Sequence, residues 1–173
     1  LKTFWISDDS LITARVIINS INGYGPVFNI GERVQSFTHP LWFILNKFLT
    51  IFSGNVILSY FILSTFLVAG YLLIIFQNLK SKLSITLFTL LWCFSAGIRD
   101  FSSSGLENIL SMFLLTNVIF LIYRRKNLSE LFIGIFLLGL ITLNRVDSIL
   151  IVIPFFGLYL KYIYLLSLNK IKN

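Results

Sequence analysis

Beyond residue 55 the chain alternates long apolar runs with brief polar breaks, a rhythm that predicts helices crossing a lipid bilayer. Val56 to Phe76 carries no charge. At about 1.5 Å per residue it is long enough to span a hydrocarbon core of roughly 30 Å. Further apolar runs cover Leu83 to Ile98, Asn108 to Tyr123, Leu131 to Asn144 and Ile149 to Leu166. Lys80 and Lys82, Arg99 and Asp100, Arg124 to Lys126, and Arg145 with Asp147 separate them. The run from Leu131 is short for a crossing, so it is expected to tilt, extend back past Glu130, or stop inside a cavity.

Leu1 to His39 follows another pattern. Asp8 and Asp9 stand at N-cap positions ahead of Ser10 to Asn22, a stretch free of Gly and Pro that Gly23 and Gly25 close. Gly31 predicts a turn before Glu32. Pro40 opens a helix running to Ser53, where Trp42, Asn46 and Lys47 suit the membrane interface better than a crossing. The expected fold class is all-α, a polytopic transmembrane helical bundle. An extracytoplasmic loop with juxtamembrane helices would occupy residues 1–54 and about five apolar segments residues 55–173. With Leu1 at its start and no lead-in apolar segment, the chain is expected to be a fragment of a longer protein.

Composition sharpens this. Of 173 residues 57% are hydrophobic and 12% charged, against a norm of about 25% charged, too few to clothe a soluble surface. The net charge of +7 sits in small clusters between apolar runs and forms no basic stripe, which argues against nucleic acid as a partner. The single Cys93 lies in an apolar run, so neither a disulfide framework nor a cysteine–metal site is expected. If Lys80/Lys82, Arg124 to Lys126 and Lys170/Lys172 face the cytoplasm, the spans alternate without conflict. Asp8, Asp9, Glu32, Asp100, Glu107 and Asp147 then share the opposite compartment, and Glu130 alone lies inside. Carboxylates gathered at one membrane face are what a catalytic or binding cavity looks like.

The residues of that face have local readings. Asp8, Ile12, Arg15 and Asn19 recur at helical spacing and fall on one stripe, which puts a base, a cation and an amide on one cavity; Asp9 shares a neighbouring stripe with Thr13 and Ser20. The aspartates serve equally well as caps that complement the helix dipole. Arg15 reads as a phosphate ligand or as a snorkelling residue, and Glu32 with Arg33 as an exposed turn. A lone histidine, His39, cannot build a zinc site, so helix capping beside Pro40 is its expected role. Ser104 and Glu107 have capping-box spacing, which competes with a substrate-binding role for Glu107. Arg145 and Asp147 flank a break between apolar runs, pair with each other, and are functional suspects because charge at membrane depth is expensive. Arg99 and Asp100 read as an ordinary loop pair. No phosphate-cradling Gly-rich motif follows a strand, which disfavours a nucleotide-sugar donor.

Several of these pieces in order carry a resemblance. Asp8-Asp9-Ser10-Leu11-Ile12-Thr13-Ala14-Arg15, Asn19, Gly23-Tyr24-Gly25, Asn29, Gly31-Glu32-Arg33-Val34, Thr38-His39-Pro40-Leu41-Trp42, Gly105-Leu106-Glu107 and Arg145-Val146-Asp147 resemble the bacterial GT-C-type glycosyltransferases. They are similar in particular to the branch containing the mycobacterial terminal arabinofuranosyltransferase, over the N-terminal part of its members. The chain departs from that pattern at Gln35-Ser36-Phe37, His39 and Val146. The resemblance implies a GT-C-like fold in the bacterial inner membrane, with the active site on the extracytoplasmic side. It implies sugar transfer, with inversion, from a polyprenyl-phosphate donor to a hydroxyl of a glycan, lipid or protein acceptor. Asp8 and Asp9 would then be catalytic, and Arg15, Asn19, Glu32, Arg33, Glu107, Arg145 and Asp147 would bind substrate. Membrane lipid and the lipid-linked donor are the implied partners. No metal ligand is assigned, and the need for a divalent metal stays open. A transporter or flippase is the alternative; it would also bury charges in helices but gives no reason for the polar first loop.

Overall fold

The computed structural model describes residues 5–32, 34–124 and 127–172, the last five by backbone alone. Among these residues every regular element is a helix. The first, α1 (Asp8–Ile21), is capped by Ser7, whose extended backbone aims its Oγ at the Ser10 N–H, 3.2 Å away. Asp8 and Asp9 are therefore not the caps expected of them. They occupy the first turn, where carboxylates complement the helix dipole. After Asn22 the chain turns through Gly23 and Gly25 at φ of +88° and +84°, a left-handed conformation that favours glycine.

Helix α2 (Pro40–Ser53) has its proline in the first turn and ends at Gly54. Trp42 stacks on Tyr60, and Thr50, two turns further on, bonds Ser59 at 3.1 Å. Well-separated positions of α2 thus meet adjacent positions of α3 (Val56–Asn78), so α2 lies across the start of α3. Ile44, Phe48, Ile51 and Phe52 on its outer side are exposed.

Among the described residues two segments are long and apolar enough to cross a membrane, α3 and Val146–Ser167; the second joins a 3-10 turn, Val146–Ser148, to α8 (Ile149–Lys172). A third exists if α4 (Lys82–Phe94) and α5 (Ala96–Ser103) form one span bent by 69°. The uninterrupted apolar run Leu83 to Ile98 hid this break. Ser95 goes extended and its hydroxyl caps the Ile98 N–H, starting a new helix. Arg99 and Asp100 consequently lie on α5 and not in the expected loop. Helix α6 (Asn108–Arg124) and α7 (Leu128–Asn144) are apolar with 17 residues each. Of the three options for the run from Leu131, backward extension past Glu130 holds: Asn127 caps the Glu130 N–H at 2.8 Å.

The helices α3, α6, α7 and α8 pack in succession. Tyr159 of α8, fully buried, donates to the Val118 carbonyl of α6 at 2.7 Å. It passes directly over Gly134 of α7, where a Cβ would lie 2.1 Å from its ring. The bundle has two chemically different ends. Arg124 donates to Asn78 at 3.2 Å, joining the ends of α6 and α3 near Lys80 and Lys82. At the other end Asn144 donates to the Glu107 carbonyl at 3.0 Å, joining α7 to the start of α6. There the loop before α6 is pinned by α1 and α2, and α1 in turn by Tyr60. Ser10 Oγ donates to the Ser104 carbonyl at 2.8 Å, Trp42 Nε1 to Gly105 at 3.0 Å, and Tyr60 to the Ser10 carbonyl at 3.0 Å. Gly105 takes φ of +77° with Ser10 and Tyr60 packed against it, so a side chain there would both strain the turn and displace α1. Glu107 follows two residues on, held in place by these contacts.

Candidate active site

Four separate segments converge at the pinned end. Asp9 and Thr13 come from α1, His39 from the residue before α2, Glu107 from the loop before α6 and Arg145 from the break after α7. They line one cavity of about 390 Å³. His39 Nε2 lies 2.8 Å from Thr13 Oγ1, and its Nδ1 lies 3.7 Å from a Glu107 oxygen. The other Glu107 oxygen is 3.3 Å from Arg145 Nη1. Arg145 also donates to Asn108 Oδ1 at 3.2 Å and holds Asp147 with two parallel bonds, Nε at 3.0 Å and Nη2 at 2.7 Å. Its guanidinium therefore spans a buried carboxylate and an exposed one.

Charge and burial set different tasks for these groups. The Glu107 side chain is 9% exposed and tied to Arg145. Asp9 is exposed and bound in no ion pair among the described residues. Of the two, Asp9 is the carboxylate that no cation among the described residues engages. Burial holds the His39 imidazole below its ordinary range, and Arg145 pushes the same way, against the opposite pull of Glu107 and Asp9. The folded protein therefore favours the neutral ring, whose Nε2 shares a hydrogen bond with Thr13 Oγ1 in the direction its tautomer sets, while the Thr13 hydroxyl also reaches the Asp9 carbonyl at 3.2 Å.

That assignment has a consequence for stability. Below the ordinary histidine value of 6.5 the unfolded chain takes up a proton that the folded one still refuses. Stability is therefore expected to fall as pH drops from 6.5 toward the lower folded value, and His39→Gln to flatten that slope. Thermal unfolding in detergent, followed downward from neutral pH, checks it. A slope unchanged in His39→Gln would assign the titration to another group.

The structure brings Asp9, Glu107, Arg145 and Asp147 together; of the expected stripe of α1, Ile12 lines the cavity while Asp8, Arg15 and Asn19 do not. Asp8 is exposed and outside the cavity. Arg15 stacks over the Phe28 ring at 4.4 Å and donates to Asn29 at 3.2 Å. Asn19 donates to the carbonyls of Val27 and Phe28, and Asn29 to Glu32 at 3.0 Å. These residues clamp the loop after α1 onto its own helix, so the face turned to the cavity is that of Asp9, Ile12 and Thr13. Arg33 lies outside the described residues. Ser104 and Glu107 do not form the expected capping box. Ser104 Oγ has no hydrogen-bond partner among the described residues, and the Glu107 carboxylate turns to Arg145. His39 occupies the N-cap position of α2, but its side chain makes no capping bond. It points into the cavity, a role that its place as the only histidine beside a first-turn proline did not disclose. Asn108, the second polar anchor of Arg145, carried no sequence signal. Among the described residues no group of three or more His, Cys, Asp or Glu is placed to hold a metal ion.

Comparison with known proteins agrees with the motifs. A stretch of 38 residues is 58% identical to the terminal beta-(1->2)-arabinofuranosyltransferase of Corynebacterium glutamicum, covering 22% of this chain and 6% of that protein. Another, of 116 residues, is 33% identical to the protein of the same name from Mycobacterium tuberculosis, covering 60% of this chain and 18% of that protein. The chain resembles the terminal arabinofuranosyltransferase branch. The matched segment is less than a fifth of either relative's length. No family model matches the chain, and no solved structure does.

Proposed function

We propose that the chain forms the acid-bearing part of an integral-membrane glycosyltransferase that moves a sugar from a polyprenyl-phosphate donor to a hydroxyl. The names of the two relatives make a pentofuranosyl group the first sugar to try. The observation that carries the reading is the cavity in which Asp9, in no ion pair among the described residues, faces Glu107, His39 and Arg145, built from the same segments that carry the resemblance. In a single displacement the acceptor oxygen attacks the anomeric carbon and gives its proton to Asp9. The bond from that carbon to the phosphate oxygen breaks, its electron pair leaves with the phosphate, and the configuration inverts. Asp9 supplies general-base help typically worth about 10² to 10⁴ in rate.

Two further features support it. An apolar groove of about 360 Å³ lined by Ile98, Phe101, Met112, Leu115 and Ile151 opens beside Asn108, which holds Arg145. A donor whose isoprenoid chain lies in that groove brings its phosphate to Arg145, whose side chain is 40% exposed. The phosphate would share the guanidinium with Asp147. On the other side, a second cavity of about 330 Å³ with Glu32, Gln35 and Ser36 in its wall shares Ile12 with the first and offers room for the acceptor. Arg15 and Asn19 shape that wall by clamping the loop.

Radiolabelled pentose and hexose supplied as polyprenyl phosphates, beside the matching nucleotide sugars, test the donor class. Label should enter a membrane acceptor from a polyprenyl phosphate only. Transfer from nucleotide sugars alone would overturn the proposal. Orientation is tested separately. With the exposed Cys93 replaced by Ser, Ser81→Cys is expected to resist an impermeant thiol reagent applied from outside. Tyr24→Cys, at an exposed position of the first loop, is expected to react. The reverse pattern would invert the topology.

A further inference from the structure

We propose that the groove between α3 and the bent pair α4–α5 binds an anionic phospholipid with ester-linked chains. The groove measures about 450 Å³, within the usual range for a ligand site, and lies on the side of α5 away from the groove beneath Asn108. Two features on its wall point to a ligand. Arg99 is exposed and pairs with no carboxylate among the described residues, while its surroundings are largely apolar. A cation set in such a wall calls for an anion that also brings apolar surface with it.

The second feature is Ser64 of α3. Its residue is 3% exposed, and its Oγ has no hydrogen-bond partner among the described residues. Several hydroxyls on helices here return a bond to the carbonyl four residues back, as Thr89, Ser102 and Thr142 do. Ser64 does not, and it lines the same groove as Arg99. An unmet donor among apolar side chains is costly until an acceptor reaches it.

A phospholipid supplies both needs in one molecule. Its phosphate meets Arg99, the ester carbonyl beneath the headgroup accepts from Ser64, and an acyl chain runs along Ala69 and Trp92. An isoprenoid phosphate has the charge but no carbonyl below it, and a zwitterionic lipid carries a compensating ammonium. The bound lipid would brace α5, whose other edge, at Ile98 and Phe101, lines the groove assigned above to the donor.

Delipidated protein titrated with phosphatidylglycerol, its ether-linked analogue, phosphatidylethanolamine and a polyprenyl phosphate, read by native mass spectrometry, tests this without any sugar donor. Its outcome is therefore independent of the transferase reading. The ester-linked anionic lipid should bind tightest. Arg99→Gln should weaken it about fivefold, the worth of one cation at an anionic surface. Ser64→Ala should erase the preference for ester over ether while keeping that for negative charge. Equal binding of ester and ether lipids by the unaltered protein would overturn the proposal. So would stronger binding of the polyprenyl phosphate, or phosphatidylglycerol affinity unchanged in Arg99→Gln. Should Ser64→Ala fold poorly, Ser64→Cys keeps the size and a weak donor, and should narrow the ester preference.

Discussion

Replacing Asp9 by Asn is expected to lower sugar transfer by about 10² to 10⁴, the usual worth of a positioned general base, while the protein stays at normal levels in the membrane. The two effects separate because of where Asp9 sits. It is an exposed first-turn residue beside the cap, so its carboxylate adds only about 0.3 to 1 kcal/mol to the helix through the dipole. Asn keeps the shape and removes the basic oxygen. Asp8 is the internal control. It shares the first turn and the dipole term but lies outside the cavity, so Asp8→Asn should cost similar stability and leave transfer largely intact. Initial rates in membranes matched for protein content check the pair. Loss of activity in Asp8→Asn with Asp9→Asn still active would move the base to Asp8 and discard the cavity geometry.

The second large effect is at Arg145. Arg145→Ala strips Glu107 of its only cation among the described residues, leaving a carboxylate that is 9% exposed to face burial alone. Leaving a buried acceptor unmet costs about 1 to 3 kcal/mol, and more when it is charged. Thermal stability in detergent should therefore drop, and transfer should be nearly lost. The double variant Arg145→Ala with Glu107→Gln separates the two causes. It removes the orphaned charge, so stability should recover, but no guanidinium remains for the departing phosphate and transfer should stay lost. Arg145→Lys keeps a point charge without the paired donors that suit phosphate oxygens, and should retain weak transfer. Activity recovered along with stability in the double variant would make Arg145 a structural partner of Glu107 and nothing more.

The bundle was largely legible because lipid imposes a simple code. The apolar runs from Val56, Asn108, Leu131 and Ile149 became α3, α6, α7 and α8, and glycines 23, 25 and 31 turn the chain where they were expected to. Legibility failed where one hydroxyl decided the outcome. Ser7 captured the cap and moved Asp8 and Asp9 inside α1, and Ser95 bent an otherwise uninterrupted run. The cavity itself was half visible. Asp9, Glu107, Arg145 and Asp147 were all singled out, but of the stripe of Asp8, Ile12, Arg15 and Asn19 only Ile12 lines the cavity. Helical spacing aligns Asp8 with Arg15 and Asn19 without saying which face the bundle covers. Here those two residues are spent on Phe28, Asn29 and neighbouring carbonyls, and the next face looks into the cavity. His39 was missed because its partners Thr13 and Glu107 lie far away in sequence and only the pinned loop at Gly105 brings them together.

The most direct test of lipid-linked transfer through the Asp9 cavity is the linkage made from a polyprenyl-phosphate sugar of known anomeric configuration. Membranes holding the unaltered protein, or the Asp9→Asn variant at equal level, are each given the labelled donor, and the product's configuration is read by NMR. The unaltered protein should form a product inverted relative to the donor, and Asp9→Asn should form almost none. A product with retained configuration, or equal product from Asp9→Asn, would contradict single displacement with Asp9 as the base.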